Sequence, residues 1–100
     1  MISPSKIVIE VEQRHIDEGV GGNCRLCPLA VALQEQYSEL IADKGGDFVV
    51  GVNSIFIGKN DGQFHNDVKY ILSKEGRQFT YDFDVYREAS PCRIEATLED

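Results

Sequence analysis

The sequence predicts an α+β domain in which two helices pack on a mostly antiparallel sheet of about five strands, in the order β-α-β-β-β-α-β. Three observations carry this. Segments of two-residue alternation come in a run rather than in strict rotation with helical segments, which favours antiparallel pairing. Turn-forming Asn, Asp and Gly residues separate the middle segments at hairpin spacing. Helical periodicity extends over two stretches only. At 100 residues the chain is the size of one domain spanning 1–100. Its 42% hydrophobic content suffices for a core and argues against disorder.

Residues 6–12 alternate: Ile7, Ile9 and Val11 fall on one side, Lys6, Val8, Glu10 and Glu12 on the other. This is a half-buried strand. Residues 13–18 make a short helical turn closed by Gly19, and Gly21, Gly22 and Asn23 form a tight loop, with Asn23 as the N-cap of the next helix. Across 26–41 the apolar residues Leu26, Leu29, Ala30, Leu33, Tyr37 and Leu40 recur at helical spacing as one buried stripe. Pro28 belongs near the start of that helix, and Gly45 with Gly46 ends it.

Residues 48–52 and 54–58 read as strands rich in Val, Ile and Phe, joined at Asn53. Asn60-Asp61-Gly62 is a second turn, and 64–72 is a third strand, irregular around His65–Asp67. Ser73 caps a helix over 74–85 that buries Phe79 and Phe83, at a local cost of about 1 kcal/mol for Gly76. After Pro91, residues 92–98 alternate as the last strand, with Cys92, Ile94, Ala96 and Leu98 inward.

The formal charge is −7, from 17 acidic and 10 basic residues. A field of this sign repels phosphate, so direct nucleic-acid binding is disfavoured and a basic protein partner is favoured. No apolar run approaches the roughly 20 residues of a membrane span, and the first residues lack the pattern of a signal peptide. A cytoplasmic setting is expected, with the three cysteines reduced or metal-bound.

Two constellations could carry function. Cys24 and Cys27 form a C-x2-C pair, which suits one zinc ion; Cys92 and His15 would complete a Cys3His set if the last strand and first turn meet the helix start. A thiol at a helix N-terminus also suits redox chemistry, while Cys27 as a small core residue needs no ligand. His15 by its position bonds its own loop. The second constellation is acidic. Glu35, Glu39 and Asp43 recur every four residues on the helix face away from Leu33 and Leu40, and Glu10 and Glu12 share one face of the first strand. Such rows could imitate a phosphate backbone in the basic groove of a nucleic-acid-handling enzyme, or be a solvated face. No phosphate loop, nucleophile elbow or H-E-x-x-H motif is present, and a non-enzymatic protein without cofactor is expected.

The stretches His15-Ile16-Asp17-Glu18-Gly19-Val20 and Gly22-Asn23-Cys24-Arg25-Leu26-Cys27-Pro28-Leu29-Ala30-Val31-Ala32-Leu33 resemble a group of small bacteriophage and bacterial proteins. In that group a Gly-Asp/Asn-Cys segment and a Cys-Pro helix follow the first strand. Phe79-Thr80-Tyr81-Asp82-Phe83-Asp84 and Pro91-Cys92-Arg93-Ile94-Glu95 resemble its later segments, while Gly76 and Tyr86 depart from it. The resemblance transfers no catalytic or ligand residue. It implies a setting: a small acidic accessory protein that inhibits a host or defence protein, such as a CRISPR effector (an anti-CRISPR).

Overall fold

Alternation over the first segment produces β1 (Lys6–Val11), whose Ile7, Ile9 and Val11 are buried. The computed structural model describes residues 3–20 and 26–99. Three helices follow: α1 (Gln13–Glu18), α2 (Pro28–Gln36) and α3 (Ser38–Asp43). Next come β2 (Gly46–Val50), β3 (Ser54–Asn60), β4 (Phe64–Leu72), α4 (Lys74–Tyr86) and β5 (Cys92–Leu98). All pairings are antiparallel, and the strands lie in the order β1-β5-β4-β3-β2.

The α+β class and the five antiparallel strands match the expectation; the count of two helices and the element order do not. The stripe expected over 26–41 is broken at Tyr37, whose backbone (φ −125°, ψ 31°) leaves the helical region. Its N–H still closes α2 on the Leu33 carbonyl at 2.8 Å, and its carbonyl opens α3 by accepting from Ile41 N–H at 3.0 Å. Leu29, Ala30, Leu33 and Leu40 are buried as expected. Leu26 is not: it precedes α2 and is 50% exposed. The N-cap position of α2 is Cys27, with Pro28 as its first residue. Asn23, expected there, lies outside the described residues with Gly21, Gly22 and Cys24.

Register places one apolar row from each strand on the same face. Ile9 pairs with Ile94, Ile7 with Ala96, Leu72 with Ala96, Ile55 with Tyr70, and Val50 with Ile55. Leu29, Leu33, Ile41 and Phe79 from the helices join them in one core. Each fully buried Leu or Ile contributes roughly 1.5–3 kcal/mol. Tyr70 is buried within it, and its hydroxyl donates to the Pro4 carbonyl at 2.8 Å. Burial pushes that phenol's pKa up, and Tyr37 adds to the shift.

The register slips between Ile57 and Gly58, so Asp67 is the extra residue of a bulge where irregularity was expected. Asn60 Oδ1 accepts from Gly62 N–H at 3.0 Å and holds the turn before β4. On α4, Ser73 Oγ accepts from Gly76 N–H at 3.2 Å, and Phe79 and Phe83 are buried. Cys92 departs from expectation. It pairs opposite Val11, on the core side of the sheet, but at the first position of β5, and it is exposed. Partial burial and the Glu10 charge push its thiol pKa up, away from the thiolate.

Candidate binding surface

Three of the five candidate acids, Glu10, Glu12 and Glu35, lie at the free edge of β1. In this strand Ser5, Ile7, Ile9 and Val11 direct their backbone groups to β5, as the bond from Leu98 N–H to the Ser5 carbonyl shows, so Val8, Glu10 and Glu12 direct theirs outward. Three side chains meet these outward groups. The Tyr37 hydroxyl accepts from Val8 N–H and donates to its carbonyl, both at 2.9 Å. The Gln36 amide accepts from Glu10 N–H at 2.8 Å and donates to its carbonyl at 2.7 Å. His15 Nδ1 accepts from Glu12 N–H at 2.9 Å.

The break at Tyr37 makes this possible. Consecutive residues of a straight helix point about 100° apart and cannot both reach one strand. Leaving the helix at Tyr37 lets Gln36 and Tyr37 address Val8 and Glu10, which lie two residues apart, roughly 7 Å along the strand.

Next to this edge, Arg14 donates through Nη1 to Glu35 Oε2 at 2.6 Å and through Nη2 to Glu35 Oε1. It also donates to Glu12 Oε2 at 3.1 Å. The bidentate hydrogen bonds from Arg14 hold the Glu35 carboxyl down at about pKa 2, with a smaller contribution from His15, and Glu35 in turn raises that of Arg14. His15 is fully buried, with Nε2 3.3 Å from Glu35 Oε2. Because Nδ1 accepts a backbone N–H, the ring proton of the neutral imidazole sits on Nε2 and donates to Glu35. His15 is thus a cap that ties α1 to β1 and α2, in keeping with a histidine bonding its own loop.

Glu12, His15 and Glu35 place one potential ligand atom each within 4.8 Å of one another. The protonation pattern opposes a metal there. Coordination through Nε2 would displace its proton, while Nδ1 is held by an N–H donor, and Arg14 already occupies both Glu35 oxygens. Among the described residues neither Cys27 nor Cys92 belongs to such a group. Cys27 is buried, and Cys92 sits on the side of β1 paired with β5, whereas His15 caps the opposite edge. Cys24 lies outside the described residues.

The acid row itself is divided. Glu35 is on α2, while Glu39 and Asp43 are on α3, so the helix break interrupts their four-residue spacing. Four of the five candidates have a cation beside them: Glu10 meets Arg93 at 2.8 Å, Glu12 and Glu35 share Arg14, and Asp43 lies 3.7 Å from Lys44. Glu39 is exposed and makes no ion pair among the described residues. With Pro4, Glu35 and Tyr37 it lines an open depression of about 520 Å³.

No known protein family matches this chain, and neither a curated protein nor a solved structure matches it. The surface itself therefore carries the functional reading. The roles of Gln36 and Tyr37 left no mark in the sequence, where both read as ordinary positions on a continuous helix.

Proposed function

We propose that this chain is a non-enzymatic binding protein that engages a basic protein surface. In the setting implied by the phage-like resemblance, it inhibits a host or defence protein, including a nucleic-acid-handling effector of the CRISPR type. The observation that carries this reading is the depression between α2 and α3, bordered by Glu35 and Glu39, on a chain of net charge −7. Such a field speeds encounter with a basic partner and disfavours phosphate. Because Arg14 and Arg93 offset Glu35, Glu12 and Glu10, Glu39 and Asp43 are the acids to reverse without disturbing the Arg14 cluster.

Capture of host proteins on the immobilised chain, at low and high salt, tests this. The expected result is a basic partner retained at low salt, released at high salt, and lost by Glu39→Lys/Asp43→Lys. Retention of the same partner by that double variant at unchanged salt sensitivity overturns the role of this face.

A further inference from the structure

We propose that the outer face of α4 is the short-range anchor of the same interaction, a contact surface for a cationic, partly apolar protein segment. This rests on the basic-partner reading above and adds a surface that the acid rows do not include. Three of the six exposed large apolar side chains among the described residues, Tyr81, Val85 and Tyr86, are on α4, and a fourth, Val52, is on the turn whose carbonyl accepts from Thr80 on the buried side of the helix. They are 48%, 54%, 59% and 62% exposed.

Folding does not require them there. The buried side of α4 is complete with Phe79, Thr80 and Phe83, and a surface helix ordinarily carries polar residues opposite its core side. Tyr81 and Tyr86 meet edge to face, with ring centres 6.1 Å apart. Tyrosines of this kind are enriched among residues that dominate binding energy.

Charge selects the occupant. Asp82 and Glu88 flank the two tyrosines along the chain, the first half-buried and accepting from the Gln78 amide at 2.8 Å, the second exposed. The one cation in this stretch, Arg87, is turned back. Its guanidinium donates to the Phe83 and Asp84 carbonyls at 3.0 and 2.5 Å and lies 5.9 Å from the Phe83 ring centre. An arginine or lysine from a partner can therefore stack on Tyr81 or Tyr86 while meeting acids at the rim. A second copy of this chain is disfavoured, because it would bring −7 against −7.

Two immobilised peptides of equal length and positive charge separate the possibilities, one combining Arg with Leu and the other Arg with Ser. The expected result is tighter binding of the full chain to the Arg/Leu peptide. Tyr81→Ala/Val85→Ser should remove that advantage, roughly tenfold or more and mostly through faster dissociation, with its melting temperature unchanged. Glu39→Lys/Asp43→Lys should instead slow association with both peptides. Equal binding of the two peptides overturns the α4 anchor and leaves the acidic-face reading standing. Binding of neither overturns both. Concentration-dependent self-association abolished by Tyr81→Ala/Val85→Ser would assign the face to a second copy and overturn the basic partner.

Discussion

His15, Arg14 and Glu35 show how one buried imidazole and one bidentate ion pair fix a junction of three elements. Both imidazole nitrogens are engaged, which gives the ring a structural role rather than that of a free base. The pH dependence of this junction comes from Glu35. Its folded pKa, about 2, lies below the ordinary 4.5, so its ionised form stabilises the fold fully above about pH 4.5. That contribution fades as pH falls to about 2. The pair is exposed, so the effect is small and weakens with salt. Glu35→Gln should melt slightly below the parent at pH 6, and the gap should close in melting curves taken toward pH 2. A gap independent of pH would mean that packing, not charge, is what Glu35 supplies.

At the scale of the element, α4 depends on a residue that intrinsic propensity disfavours. Gly76 in an exposed helix would gain about 1 kcal/mol on change to Ala. Here a Cβ at position 76 would lie 2.8 Å from Ile94 Cγ2, a branched methyl fixed in the core. Gly76 is what lets α4 sit down on β5. Gly76→Ala should therefore destabilise by about 1–3 kcal/mol, read from the urea midpoint, instead of stabilising. A rise in the midpoint would show that helix and strand separate at little cost. A similar close approach sets α1 against α2, since a Cβ on Gly19 would lie 2.5 Å from Pro28 Cδ.

Across the whole molecule, the five-stranded sheet has two edges, β1 and β2. The β1 edge would pair with another chain were it bare. Tyr37, Gln36 and His15 meet its outward backbone groups as a neighbouring strand would. On β2, Asp47 Oδ1 accepts from Phe48 N–H at 2.8 Å and its Oδ2 accepts from the Asn60 amide at 3.0 Å. Gln36→Ala/Tyr37→Phe removes four hydrogen bonds to Val8 and Glu10 and re-exposes their N–H and C=O groups. The double variant should lose about 2–4 kcal/mol and associate with rising concentration, measured by denaturation and by light scattering. A variant that stays monomeric at all concentrations would mean that the helices alone shield this edge.

Local chemistry determined most of the elements. Alternation set β1 and β5, side-chain capping and helical period set α4 with Phe79 and Phe83, and the Asn-Asp-Gly turn set the β3–β4 hairpin, because each signal lies within a few residues. Local chemistry also determined the acidity and the position of His15 in its own turn. Tertiary structure decided what depends on distant partners. The helix over 26–41 breaks because Gln36 and Tyr37 bond a strand 26 and 29 residues earlier in the chain, which no local period encodes. That break divides the acid row, and Arg14 and Arg93 then offset acids that looked unopposed in one dimension. Cys92 keeps the inward phase of its strand yet is exposed, because a pattern gives the side of a sheet but not how far the opposing layer reaches.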